Sequence, residues 1–200
     1  HGDNGPRLID TSVDDVTQNA VPEPRSFSAL WYVFAIFVSL IGGFLGAFGA
    51  VVQEVRAGGF ILLPILGAPI IEEGLKPTGV YLLLIRWPDL LRSQLFTALL
   101  SALAGLTFGL LEAIVYVTLY VDNPPDWFVT YRFTLPLVLH TTGSFIVGLA
   151  INQRLLDWAQ GRSALPKRNR NLYFTAITLH AIFNTTAVVL AFAGVFDSVE

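Results

Sequence analysis

The stretch GFILLPILGAPIIEEGLKPTGVYLLLIR, residues 59–86, is apolar over most of its length. It nevertheless carries Glu72, Glu73 and Lys76 at its centre and Pro64, Pro69 and Pro77 along its course. About 20 apolar residues suffice to cross a hydrocarbon layer about 30 Å thick. An ionisable group at that depth costs about 2.5–3.5 kcal/mol on insertion scales, so such groups normally face a bundle interior or a wet cavity. Proline breaks are tolerated at the same depth only where neighbouring helices or a lined cavity satisfy the freed backbone groups, which predicts a kinked or partly unwound helix here.

Four more apolar segments flank this one, and together they predict spans at 28–53, 59–86, 94–121, 128–152 and 172–196. The chain is 54% hydrophobic and only 14% charged, which excludes an ordinary water-soluble domain. Alternating ten-residue strands are absent, so a closed barrel is excluded as well. The predicted fold is therefore all-α, a polytopic transmembrane bundle of about five helices over residues 27–200. Glycines 42, 46 and 49 in the first span, and 105 and 109 in the third, offer small surfaces for close helix packing.

Residues 1–26 are polar and end on Val21-Pro22-Glu23-Pro24, which reads as a solvated tail. They lack the features of a signal peptide, so the first apolar segment is expected to be a retained span. No Met occurs and position 1 is His, which points to a trimmed or tag-derived start, and His1 is left out of the reading. If the spans alternate sides, Arg7, Arg25, Arg86, Arg92, Arg154, Arg162, Lys167, Arg168 and Arg170 share one side, against Arg56 and Arg132 on the other. This bias puts the N-terminus in the cytoplasm and the protein in the cell membrane as a multi-pass chain. The net charge of −3, without a basic stripe, excludes nucleic acid as a partner, and the absence of cysteine removes disulfides and thiolate chemistry.

The remaining chemistry lies in polar groups inside the spans: Glu72, Glu73, Lys76, Glu112, His140 and His180. At 1.5 Å per residue, Glu72, Glu112 and His140 fall roughly 13–20 Å below the outer ends of their helices, and His180 falls near mid-bilayer. All can converge on one level. Lys76 is one turn from both Glu72 and Glu73, and His180 shares a helix face with Asn184. Adjacent carboxylates in a low dielectric resist ionising together and titrate as a coupled unit unless a cation offsets one. A carboxylate so placed can act as general base towards water, imidazoles can act as acid or metal ligand, and Asn184 can donate to an oxyanion. Ser101, Thr141 and Ser144 lack a nucleophile-elbow context and read as hydroxyls bonded back to their own helices.

Four short pieces carry a family resemblance. They are Ala68-Pro69-Ile70-Ile71-Glu72-Glu73-Gly74-Leu75-Lys76, then Phe108-Gly109-Leu110-Leu111-Glu112 with Tyr116, then His140 with Gly148, and then His180-Ala181-Ile182-Phe183-Asn184. In this order, each on its own apolar segment, they resemble the PrsW-type intramembrane proteases, which are related to CAAX prenyl endopeptidases and bacteriocin-processing membrane proteases. The resemblance covers roughly residues 60–190. Ala113 stands where the family often has Asn, while Glu112 and Lys76 separate the chain from the prenyl branch, which has His and Arg there.

The resemblance implies hydrolysis of a peptide bond in or near the membrane, in a membrane-embedded protein substrate such as an anti-sigma-type regulator. The implied catalytic set is Glu72, Glu73, Glu112, His140, His180 and Asn184, with Lys76, Phe108 and Tyr116 balancing charge or contacting substrate. Two mechanisms stay open. In one, zinc or another divalent metal is held among Glu72, Glu112, His140 and His180; in the other, a glutamate activates water without metal. The glutamate version is preferred, because the paired-His helix spacings of familiar zinc proteases are absent, and Glu72 is preferred over Glu73 as the base. A proton- or ion-coupled transporter is the rival from another class, weakened by the lack of an inverted repeat. A non-catalytic receptor or chaperone on the same scaffold is the third reading.

Overall fold

The computed structural model describes residues 26–57 and 63–196. The tail with Arg7 and Arg25, the start of the second apolar segment, the side chains of Arg56 and Pro64, and residues 197–200 lie outside the described residues. The regular elements among the described residues are all helical, the α-helices being α1 (Ala29–Ala57), α2 (Ala68–Leu75), α3 (Thr78–Arg86), α4 (Gln94–Val115), α5 (Asp126–Arg132), α6 (Leu135–Gly148), α7 (Gln153–Ala159) and α8 (Lys167–Phe192). Helices Ala29–Gln53, Gln94–Tyr120 and Lys167–Phe192 are long and apolar enough to cross a membrane. A fourth crossing results if Asp126–Gly148 and Gln153–Ala159, bent by 79°, are one span.

The second apolar segment is broken, and its prolines explain where. A π turn at Leu63–Gly67 leads into α2, whose first turn contains Pro69. A proline there has no N–H to give, and the wider π register accommodates the lost bond. At the other end the helix stops at Lys76 and restarts after Pro77, and Thr78 Oγ1 donates to the Leu75 carbonyl at 2.5 Å to satisfy part of the break. The fourth segment divides more than its sequence announced. α5 ends at Arg132, α6 begins with Pro136 in its first turn, and the chain then bends into α7, which Asn152 caps by accepting from the Arg154 and Leu155 amides. The last helix starts at Lys167 and not near 172. Pro166 sets the entry, and buried Asn169 donates to the Ala150 carbonyl at 2.7 Å, anchoring that first turn to the bundle.

Glycine contacts set the helix spacing. A Cβ on Gly42 would run into the backbone of Gly79, one on Gly79 into the backbone of Val38, and one on Gly105 into the carbonyl of His140. These close approaches join α1 to α3 and α4 to α6, the latter being the most extensive pairing in the bundle. The apolar core, with Val80, Leu83, Leu100, Val147 and Ile151 fully buried, sits towards the end of the bundle that carries Arg86, Arg92 and Arg154. Leu30, Phe37, Phe44 and Phe48 on α1 point outward, as a lipid-facing surface requires.

Overpacking inside close-packed cores costs about 1–3 kcal/mol, and backbone contact leaves no flexible atom to yield. Gly42→Ala is therefore expected to lose stability at the upper end of that range. Gly74→Ala, where a Cβ would meet nothing within 4 Å, is expected to be neutral or to gain up to about 1 kcal/mol of helix propensity. Thermal unfolding of the two variants in detergent checks the contrast.

Candidate active site

α2 supplies the charges. Successive residues on a helix point about 100° apart, so Glu72 and Glu73 cannot share a direction. Glu73 turns into the bundle, where it is 1% exposed, and accepts from Lys76 Nζ at 2.6 Å. Lys76 is itself completely buried and lies 3.7 Å from Glu72 Oε2, so one ammonium faces both carboxylates. Its Nζ also sits 4.8 Å from the centroid of the Phe108 ring, whose face favours a cation. Gly143 on α6 makes the room: a Cβ there would lie 3.1 Å from Glu73 Oε2.

Each histidine is held by a carboxylate from another helix. His180 on α8 has Nδ1 2.9 Å from Glu73 Oε1, and His140 on α6 has Nε2 2.6 Å from Glu112 Oε2 of α4. An ionised carboxylate only accepts, so the imidazoles donate through these nitrogens. The opposite ring nitrogens then carry the lone pairs. His180 Nε2 lies 3.8 Å from Glu72 Oε2. His140 Nδ1 is buried and has no hydrogen-bond partner. The two rings stand edge to face at 5.1 Å between centroids.

A cavity of about 370 Å³ opens beside this cluster. Glu72, Glu112, Tyr116, Arg132 and Asn184 line its polar side, and Phe128, Tyr131 and Phe183 line its apolar side. Arg132 is the residue that sequence reasoning missed, because it was counted only as a loop charge. It is 8% exposed, its guanidinium lies over the Tyr116 ring at 3.6 Å, and Nη2 is 3.4 Å from Glu112 Oε2. Its position inside the fourth apolar segment was the available signal.

Glu72, His140 and His180 each offer one ligand atom within 4.8 Å of the others. This donor set fits a divalent cation: two imidazoles and a carboxylate are a familiar zinc set. Both imidazoles are also fixed through their second nitrogens by carboxylates, as metal-bound histidines usually are. The unpartnered, buried His140 Nδ1 is the atom such an ion would satisfy. Glu112, a possible ligand in the metal reading, is not in this group of three; its Oε2 lies 2.6 Å from His140 Nε2. Phe108, expected to contact substrate or balance charge, is 1% exposed and lies beside Lys76 and His140, 5.2 Å from the latter's ring. Ser101 and Thr141 bond back to Thr97 and Leu137 on their own helices, whereas Ser144 Oγ is buried against Gly105 without a hydrogen-bond partner.

The chain is a member of the PrsW family of intramembrane metalloproteases, whose family model matches residues 23–199. No curated protein and no solved structure matches it.

Breaking a buried ion pair from one side costs about 3–5 kcal/mol, because the partner charge is left uncompensated. Lys76→Met is therefore expected to destabilise the protein by that order, and Lys76→Met/Glu73→Gln to recover part of the loss. Thermal unfolding in detergent reads both.

Proposed function

We propose that the chain is an endopeptidase that cuts a membrane-anchored protein, of the anti-sigma-regulator type, within or near the bilayer. The observation that supports this most directly is the meeting of Glu72, His140 and His180 from three helices, with Glu72 itself lining a cavity that Glu112 and Asn184 also line. The domain is proposed to run from residue 27 to 200, behind a polar tail of residues 1–26. The helical segments in 29–57, 63–86, 94–120, 126–148 and 167–192 are taken as five crossings, with the broken second segment spanning as one unit. With the charge bias of the loops, this puts the N-terminus in the cytoplasm.

The donor set and the family description favour the metal-assisted version over the metal-free one. Glu72, His140 and His180 would hold the ion, which when bound acidifies water and polarises a carbonyl. Glu73 fixes the His180 ring through Nδ1, and Lys76 holds Glu73 in place. Glu112 fixes the His140 ring and faces the cavity. With Glu72 engaged as a ligand, Glu112 is the cavity-lining carboxylate left to take the proton from water. In the metal-free version Glu72 takes it. Asn184, one turn beyond His180, is the donor to the oxyanion, and the aromatic wall of Phe128, Tyr131 and Phe183 receives the substrate's apolar residues.

Reconstituted protein offered a library of single-span substrates is expected to cleave a subset. Glu72→Gln, Glu73→Gln and His180→Ala are expected to lower the rate by about 10²–10⁴-fold, the scale of positioned proton transfer. Absence of cleavage by the wild type, or undiminished cleavage by Glu72→Gln, would overturn the proposal. Elemental analysis separates the two versions. In the metal-assisted version Glu72→Gln loses bound metal while Glu112→Gln keeps it and loses activity. Activity in verified metal-free protein would leave the glutamate mechanism.

A further inference from the structure

A second cavity, of about 500 Å³, lies at the basic end of the bundle between α3, α7 and α8, and shares no lining residue with the first. Leu84, Leu156, Phe174 and Ile177 supply apolar wall, and Trp158, 45% exposed, stands at its rim. Two features limit what it can hold. The hydroxyls of Tyr81 and Tyr173, both lining residues, lie 2.5 Å apart and share one hydrogen bond, which leaves this wall a single hydroxyl hydrogen and no charge to offer a ligand. The charged residue lining it is Arg170, which is exposed. The nearby acid, Asp157, is bound by Arg162 at 2.5 Å and by Gln153 at 3.2 Å, so it does not offset Arg170.

Depth adds the remaining constraint. α8 is one of the helices long enough to cross a membrane, and Arg170 lies in its first turn after Lys167 and Arg168. Arg170 therefore stands at headgroup level, where basic side chains and Trp anchor a span. Ile177 lies about 10 Å deeper at 1.5 Å per residue, among the acyl chains. A ligand matching this pattern is apolar along its length and anionic at the interface.

We infer that this cavity binds one acyl chain of an anionic phospholipid, with the phosphate on Arg170. A cavity of this size is in the range that encloses a single elongated small ligand, and a zwitterionic lipid gains less from the cluster of Lys167, Arg168 and Arg170. The inference is independent of the peptidase reading, because its test reads binding alone.

The full chain carrying Trp31→Phe, Trp87→Phe and Trp127→Phe, so that Trp158 alone reports, is titrated in micelles with dibrominated phosphatidylglycerol or phosphatidylcholine. Saturable quenching is expected at about fivefold lower mole fraction for phosphatidylglycerol, the factor one basic side chain supplies at a membrane surface. Arg170→Gln is expected to abolish that difference and Arg170→Lys to keep it, while Ala159→Phe, which adds bulk to the cavity wall, is expected to raise the midpoint for both lipids. Equal midpoints for the two lipids, or a difference that survives Arg170→Gln, would overturn the inference. Trp31 and Trp87 pack together at 5.6 Å, so native mass spectrometry of the otherwise unmodified chain gives a second measurement. One retained phosphatidylglycerol, lost in Arg170→Gln, is expected; equal retention by both overturns the inference.

Discussion

The Lys76 ammonium, buried completely among helices, is the constraint on which the rest of the site depends. A cation without water must find anions, and only Glu72 and Glu73 lie one turn away on its own helix. Glu73 answers at 2.6 Å and in doing so presents its carboxylate to His180. That bond fixes the orientation of an imidazole on a helix more than a hundred residues further along the chain. Phe108 and Gly143 are selected by the same charge, one by offering a ring face and the other by having no side chain where the carboxylate lies.

A second linkage runs parallel to the first. Arg132 faces Glu112 at 3.4 Å, a looser ion pair than the 2.6 Å hydrogen bond of Lys76 to Glu73, and Glu112 holds His140 as Glu73 holds His180. Each line passes from cation to carboxylate to imidazole, and the two imidazoles meet edge to face. The two lines differ in exposure. The Glu73 line is sealed, while the Glu112 line opens on the cavity with Arg132 and Tyr116. Glu72 belongs to neither line, although it lies within reach of Lys76 and His180.

Local patterns, and the possibility that the polar groups converge, were legible in the sequence. The i,i+3 and i,i+4 relations of Glu72, Glu73 and Lys76, and the common level of Glu112, His140 and His180, follow from helix geometry alone. The helical character of the five apolar segments followed from hydropathy, and the break at Pro77 from the chemistry of proline. Which histidine meets which carboxylate did not follow. That is decided by how each helix is rotated, and rotation is set by contacts such as Gly105 against His140, which no single segment reveals. Arg132 was hidden by a boundary: placed at the edge of a span it looks like a loop charge, yet α5 turns it inward. The sharp bend before α7 depends on the cap at Asn152, a polar residue at the end of an apolar run that reads equally well as an ordinary exit from the membrane.

The distribution of the cluster over separate helices also has a temporal side. Glu72 is on α2, His140 on α6 and His180 on α8, so the three are brought together only by tertiary packing. In chain order α2, α4 and α6 precede α8, and until α8 docks Glu73 has no imidazole to hold. A chain built in this way carries its reactive groups through biogenesis in an unassembled form. The docking of one helix is then the step that completes the site.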